Sequence, residues 1–297
     1  HIHHHLHCGL RMGLDHGHMS AANVTASHYC KSDWPTHGAK VDHYLRPMRV
    51  VSLVPSWTEF LHDLDSHVVG QTKFCVRPMS AFRSVDRIGG TKTIDVEKIL
   101  GLQPDMVVAN KEENDKEQVQ ELMDRCPAHC EVIVTDVRTL DSVWTAMHQL
   151  GALLDKGPET SQLVAQIQEL WGEPKPLTGT AGYAVWSKPW MAAGNDTFIH
   201  HVMQHWGIDN PVEGPSRYPS LAEEALHGVR HSPLWLLPSE PFPFQQKHLT
   251  ALQEDHPMAA FRLVDGEAFS WYGSRMLHVA THLQEVAEWV AKGSSAS

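Results

Sequence analysis

Aromatic and basic side chains recur in segments of this sequence that follow short apolar runs. A set of this kind in the loops that follow strands is typical of a cleft for a flat or macrocyclic ligand. Aromatic faces stack on the rings of the ligand, and a few polar groups fix its orientation. The basic groups would pair with carboxylates, amides or phosphate, whereas the alternative is that the aromatic residues only close loops against the cores. The candidates are Trp57, Phe74, Arg77, Lys92, Lys111, Trp186, Trp190, Arg217, Tyr218, Phe242, Trp271, Tyr272 and Arg275.

Patterns for metal binding and catalysis are weak. Cys75 falls in one of these loops, where its thiol is either a soft-metal ligand or a plain buried group. Cys126 and Cys130 have no second pair of ligands in the sequence, so we do not expect a structural zinc site. No nucleophile elbow, phosphate-binding glycine loop or His-Glu-x-x-His motif is present, so we expect neither an enzyme nor an intrinsic cofactor.

Histidine is concentrated at the start of the chain, at His1, His3, His4, His5 and His7. We interpret residues 1–20 as an affinity tag with a linker, and a native metal-gathering tail is the alternative. Residues 21–47 have mixed polarity and are expected to form an irregular lead-in.

From Arg49 onward, short valine-rich runs alternate with amphipathic segments. The run 49–56 is predicted to be a buried strand, and Ser56 with Glu59 is predicted to form a capping box for the next helix. Asn195 or Asp196 is expected to cap a later helix at 197–206. The other predicted strands are 67–70, 104–110, 131–136, 182–186, 233–238 and 261–265, and the other predicted helices are 95–102, 116–125, 140–154, 219–227, 247–254 and 276–290.

A helix at 158–171, which ends at a glycine- and proline-rich breaker, separates two sets of alternating strands and helices. The predicted fold is therefore α/β, with two Rossmann-like lobes whose central parallel sheets are joined by a single long interlobe helix. We assign 48–155 to the N-terminal lobe, 156–174 to the interlobe helix and 175–297 to the C-terminal lobe. Ligands favour interdomain clefts and the carboxyl ends of parallel strands, so the candidate loops are expected to meet there.

The chain has 297 residues and a formal net charge of −11. Because phosphates attract clustered Lys and Arg, this balance argues against nucleic acid as a partner. No apolar run of about 18 residues is present, so no membrane span is expected. The N-terminus lacks a basic region followed by an apolar stretch, so no signal peptide is predicted and a cytoplasmic location stays open.

Several segments together resemble the cobalamin and siderophore substrate-binding proteins of ABC importers, the helical-backbone metal-receptor class. They are the strand and Pro-Ser-x-Thr-Glu start at 49–59, Arg87-Ile-Gly-Gly-Thr-Lys92, the helix–strand step at 95–110 and Val134-Thr-Asp136. The resemblance extends from residue 49 to about residue 292. It implies two lobes on a rigid interlobe helix, with a metal chelate bound in the cleft after little hinge closure.

The resemblance also implies partners. Members of the family present one glutamate on each lobe to arginines of the transporter, and such charge pairing steers docking and sets its register. Glu97 matches the first glutamate and Glu223 the second, with Glu224 as the alternative. The implied ligand is cobalamin or a related metal chelate, the implied partner is an ABC importer permease, and we expect a monomer in the periplasm or another extracytoplasmic compartment.

A second hypothesis is a cytosolic metal- or corrinoid-binding enzyme or metallochaperone on the same lobes, which would use Cys75 and a histidine. Glu97 and Glu223 would then be ordinary solvated glutamates. A signal peptide or a neighbouring permease gene would favour the importer component, and a true cytosolic start would favour this alternative.

Overall fold

The computed structural model describes residues 46–212, 214, 216–221 and 234–295. All of these residues belong to one unit of the chain, Leu45–Ser297. The N-terminal histidines, Glu223, Glu224 and most of the predicted helix at 219–227 lie outside the described residues.

The first half of this unit alternates strands with helices. Its elements are β1 Val50–Ser52, α1 Pro55–Asp63, β2 Val68–Gln71, α2 Met79–Phe82, β3 Asp86–Arg87, α3 Val96–Gly101, β4 Met106–Asn110, α4 Lys116–Arg125, β5 Glu131–Thr135 and α5 Leu140–Leu153. The strands form one parallel sheet in the order β3-β2-β1-β4-β5. Every residue of the central strands β1 and β4 is buried, which accounts for their continuous apolar sequence.

One helix, α6 Gly157–Trp171, connects the two halves. Pro158 stands in its first turn, where a missing N–H costs no hydrogen bond, and Gly172 stops it with a φ of 65°. The buried face of α6 includes Val164 and Ile167. The interlobe helix predicted from the sequence is therefore present, and it begins one residue before the predicted periodic segment.

The second half repeats the alternation. Its elements are β6 Gly179–Thr180, β7 Gly182–Ser187, β8 Trp190–Ala192, α7 Phe198–His205, β9 Ile208–Asp209, β10 Leu234–Pro238, α8 Gln246–Asp255, β11 Ala260–Val264, α9 Glu267–Ser270 and α10 Met276–Ser295. The main sheet has the order β11-β10-β7-β8, with only β8 antiparallel, and β6 pairs with β9 separately. The predicted α/β fold with two parallel-sheet lobes is confirmed, while the lobe boundaries stay a prediction.

The last helix, α10, buries one face that includes Leu283, Val286 and Val290. The indole Nε1 of Trp171, at the end of α6, donates to the main-chain oxygen of Met276 at 2.8 Å, so the connecting helix and α10 are joined directly. Across the described ranges, no helix combines the length and the hydropathy needed to cross a membrane.

Two predicted helix caps are wrong. The N-cap of α1 is Val54 rather than Ser56, because Pro55 with its fixed φ already starts the helix. The carboxylate of Glu59 does not close a capping box but pairs with Arg275, which lies far away in the sequence. Thr197, rather than Asn195 or Asp196, caps α7 by accepting a hydrogen bond from the main-chain nitrogen of His200 at 3.1 Å.

The close contact between α5 and α6 depends on Gly151, because a Cβ atom there would overlap the buried side chain of Thr160. We expect Gly151→Ala to lower the free energy of unfolding, measured in urea, by about 1–3 kcal/mol through overpacking. Gly157→Ala is the matched control, since a Cβ there meets nothing within 4 Å. A control loss as large as that of Gly151→Ala would contradict the steric argument.

Candidate functional site

Loops at the carboxyl ends of the strands of both sheets line one cavity of about 740 Å³. In the first half they follow all five strands, β1 to β5. In the second half the lining includes the ends of β7 and β8, the start of α7 and the segments after β9, β10 and β11. Parallel strands bring their following loops to one edge of the sheet, which is why distant segments meet here. The lining residues are Pro55, Ser56, Phe74, Val76, Thr91, Asn110, Glu112, Glu113, Val137, Val185, Trp186, Met191, Phe198, Ile199, Tyr218, Glu240, Pro241, Ser270, Trp271 and Tyr272.

The cavity walls are largely aromatic. Five residues predicted from the sequence line it, namely Phe74, Trp186, Tyr218, Trp271 and Tyr272. Two of them keep large exposed surfaces, since Phe74 is 50% exposed and Trp186 is 43% exposed. An exposed ring beside a cavity is able to stack on an incoming flat ligand without first leaving a packed core.

Three other predicted aromatic residues do not line the cavity, and two of them support its walls. Trp57 is fully buried, and its ring centroid lies 4.6 Å from that of Tyr272. Phe242 packs edge-on against Trp186 at 5.4 Å between ring centroids. Trp190 stacks on Phe244 at 5.8 Å. Trp57 and Phe242 therefore hold cavity side chains in place from behind.

The predicted basic residues are not among the lining residues, and each already has a hydrogen-bond acceptor within the protein. Lys92 Nζ donates to the main-chain oxygen of Glu112 at 2.6 Å, and the Arg217 guanidinium donates to the Glu112 carboxylate at 2.8 Å. Lys111 pairs with Asp136 at 3.1 Å. The remaining two, Arg77 and Arg275, pair with acidic residues at the contact between the lobes.

Sequence reasoning missed the acidic residues of the lining, Glu112, Glu113 and Glu240. Each accepts a hydrogen bond from an aromatic wall residue. The Tyr218 hydroxyl donates to Glu112, the Tyr272 hydroxyl donates to Glu113 at 3.0 Å, and the Trp271 Nε1 donates to Glu240 at 2.6 Å. The segment Lys-Glu-Glu-Asn at 111–114 carries this signal, since its two acidic residues stand directly after the predicted Lys111.

Burial alters the acidity of these groups. It raises the pKa of Glu113 to about 7, and the nearby carboxylates of Glu112 and Glu240 act in the same direction. Burial likewise raises the pKa of Glu240, against the opposing effect of hydrogen bonds from Ser270 and Trp271. Near neutral pH, Glu113 therefore exists in both protonation states, and it is able either to donate or to accept a hydrogen bond.

The loop that presents Glu112 and Glu113 is fixed by two asparagines. The Asn110 side-chain oxygen accepts from the main-chain nitrogens of Glu112 at 2.8 Å and Glu113 at 3.2 Å. The Asn114 side chain accepts from the main-chain nitrogen of Asn110 and donates to the main-chain oxygens of Leu53 and Thr91. The turn after β4 thus has its main-chain hydrogen bonds satisfied locally, in the manner expected of Asn-rich turns.

Cys75 lies close to the cavity but not on its surface. The residue is fully buried, and the Thr58 hydroxyl donates to its sulfur at 3.0 Å. Burial raises the pKa of this thiol, so the thiolate that would ligate a metal is disfavoured. Within the described ranges, no three His, Cys, Asp or Glu side chains are grouped to hold a metal ion.

Several ion pairs join the lobes, and two of them share one network. Arg275, in the turn before α10, bonds to Glu59 of α1 with Nε–Oε2 at 2.9 Å, and both residues are buried. Arg77, after β2, bonds to Glu267 of α9 at 2.8 Å. Glu267 also lies 3.6 Å from Arg275, so the four charges alternate in sign along one network.

We expect Arg275→Met to lower the free energy of unfolding by about 3–5 kcal/mol, because it leaves the buried carboxylate of Glu59 without its partner. Arg125→Met is the control, since Arg125 pairs with Glu97 and Glu121 on the surface and such pairs contribute about 1 kcal/mol or less. Urea unfolding of both variants measures the difference. Equal losses would show that the buried pair holds the lobes no better than a surface pair does.

Comparison with known proteins gives a family and a fold. A model of the family described as periplasmic binding protein matches residues 50–251. The vitamin B12-binding protein of Salmonella typhi is 27% identical over 177 residues, which are 58% of this chain and 64% of that protein. That of Pectobacterium atrosepticum is 26% identical over 133 residues, 44% of this chain and 46% of that protein. The chain thus spans less than two thirds of these curated relatives.

Solved structures share the architecture at low sequence identity. The periplasmic vitamin B12-binding protein BtuF of Vibrio cholerae superposes with a TM-score of 0.64 at 16% identity, over 83% of this chain and 98% of that one. The periplasmic heme-binding protein RhuT of Roseiflexus sp. RS-1 gives 0.68 at 16% identity, over 84% and 100%. At this identity, the likeness establishes the two-lobed fold.

Proposed function

Because this chain belongs to the periplasmic binding protein family, whose members bind solutes rather than catalyse reactions, we propose that it captures a corrinoid, cobalamin or a close relative, between its lobes and delivers it to an ABC importer. The observation that carries this proposal is the aromatic-walled cavity at the strand ends of both sheets. Its volume of about 740 Å³ falls in the range typical of small-molecule sites.

The chemistry of the walls suits a flat macrocycle that carries polar groups at its rim. Phe74 and Trp186 offer exposed ring faces, one from each lobe. Carboxylates of Glu113 and Glu240, again one from each lobe, offer hydrogen-bonding partners beyond the rings. The relatives named as vitamin B12-binding proteins support a corrinoid, and those named as heme-binding proteins support a planar metal chelate in general.

The position of Glu97 suits the docking role that we propose for it. Its side chain is 76% exposed in the first turn of α3, and its carboxylate pairs with the surface residue Arg125 at 2.5 Å. An arginine of an importer would replace Arg125 without breaking any buried contact. We propose Glu223 for the same role on the other lobe and, by family, an extracytoplasmic location.

The metallochaperone alternative gains no support from the site. It needs an accessible thiol, whereas Cys75 is fully buried and its sulfur already accepts a hydrogen bond from Thr58. We therefore do not propose it.

We expect cyanocobalamin or dicyanocobinamide to quench tryptophan fluorescence with a micromolar or tighter dissociation constant. Trp186→Ala should weaken binding about tenfold, because it removes both buried area and stacking. Leu170→Ala, which truncates an exposed apolar residue on α6, is the matched control and should leave affinity unchanged. Absence of binding by either corrinoid, or full affinity in Trp186→Ala, would refute the corrinoid site.

We expect Glu97→Arg to leave the dissociation constant of the ligand unchanged and to lower uptake of radiolabelled cyanocobalamin about tenfold or more, since it places like charges against the importer. Uptake is measured in cells in which the variant replaces the native chain. Glu117→Arg, at an exposed glutamate in the first turn of α4, is the charge-matched control. A parallel loss in that control would assign the effect to net charge rather than to docking.

A further inference from the structure

We propose that Glu113 and Glu240 form a specificity filter, which makes the cavity accept chelates with amide groups at the rim and reject chelates with carboxylates there. This inference rests on the proposed function, because it takes the cavity to be the ligand site. It names the chemical class of the ligand, and it assigns the selection to two side chains that the sequence pattern did not single out.

The two carboxylates face the cavity from opposite lobes. Glu113 lies in the turn after β4, and Glu240 follows β10. Each is oriented by a donor of the aromatic wall, Tyr272 for Glu113 and Trp271 for Glu240. A disc-shaped ligand held between the lobes would therefore meet a carboxyl group on each side of the site.

No basic side chain among the described lining residues offsets these acids. The guanidinium of Arg217 donates to the carboxylate of Glu112 and to the main-chain oxygen of Asp196, at 2.8 and 2.6 Å. Lys92 Nζ donates to the main-chain oxygen of Glu112. A carboxylate on the ligand would meet like charge in a desolvated site, which is a strongly unfavourable arrangement.

Amides, in contrast, complement both groups. A carboxylate offers about four acceptor positions over its two oxygens, and the contacts of Glu240 from Ser270 and Trp271 both fall on one oxygen, Oε1. An amide N–H of the ligand is able to donate to the second oxygen. Glu113 is able to accept from an amide N–H when ionised and to donate to an amide carbonyl when protonated, so it suits an amide in either state.

The decisive test compares two ligands that share one corrin ring, dicyanocobinamide with amides at its rim and dicyanocobyrinic acid with carboxylates. We expect the wild-type chain to bind the amide form at least about tenfold more tightly, measured by calorimetry at neutral pH. Glu113→Gln and Glu240→Gln should each reduce that ratio to about threefold or less, chiefly by improving affinity for the carboxylate form. Glu169→Gln, at an exposed residue of α6, is the control and should keep the wild-type ratio.

Titration separates the two side chains. The groups that act on Glu113 are Tyr272, Glu112, Glu240 and Lys92. The rim carboxylates of the ligand stay ionised from about pH 6 to about pH 8, whereas Glu113 loses its proton in that interval. The preference for the amide form should therefore increase with pH in the wild type, and this increase should be smaller in Glu113→Gln.

The possible results distinguish this inference from the proposal on which it rests. If neither corrin binds, the corrinoid site is wrong and the filter is wrong with it. If both bind equally to the wild-type chain, the corrinoid site stands and the filter is overturned. A wild-type preference that neither glutamine variant reduces would overturn the assignment to Glu113 and Glu240.

Discussion

The carboxyl ends of parallel strands lie at the same edge of a sheet, so the segments that follow them begin close together. The cavity of this protein depends on that constraint. Segments that are far apart in the sequence, such as those carrying Phe74, Trp186 and Tyr272, meet because each lies at or beyond the carboxyl end of a strand. The strands themselves contribute little chemistry, since the central ones are buried hydrophobic runs. Their burial on both faces fixes the origin of the loops, and the loops carry most of the groups that line the cavity.

The relative position of the two sets of loops depends on electrostatics as well as on packing. The pairs Glu59–Arg275 and Arg77–Glu267 join the lobes beside the cavity, and the first pair is buried. An unpaired charge at such a place would be costly, so the buried pair favours one arrangement of the lobes over alternatives that separate it. The buried pair therefore restrains the distance between the two sets of loops.

Most of the fold could be predicted from the sequence because it depends on local patterns. The helix 116–125 was predicted with its observed bounds, and the strand 131–136 within one residue, because the apolar periods are clear and Asp115 supplies a side-chain cap. The cap at Ser56 was predicted wrongly because Pro55 starts the helix earlier, and its expected capping box fails for a long-range reason. Its partner Glu59 is bound by Arg275, and the order of residues does not show which arginine will lie beside a given glutamate.

The same limit explains the outcome for the candidate site. Aromatic residues in loops were recognisable, and five of those predicted line the cavity, including Trp271. Basic residues in the same loops looked equally suitable for a ligand, but each is engaged by an acceptor that only the folded chain brings near, as Lys111 is by Asp136. The acidic lining was not predicted because carboxylates in loops are usually solvated, and the burial of Glu113 is a tertiary property.

Asn114 makes one wall of the cavity rigid. Its side chain joins the turn after β4 to the main chain beyond β1 and to Thr91, through bonds of 3.1 and 3.0 Å. A turn held in this way is rigid, since a change in its conformation on ligand binding would break several hydrogen bonds at once. Selectivity between ligands then depends on steric and electrostatic exclusion of those that do not fit the rigid turn. Little of the binding free energy is lost to ordering the protein.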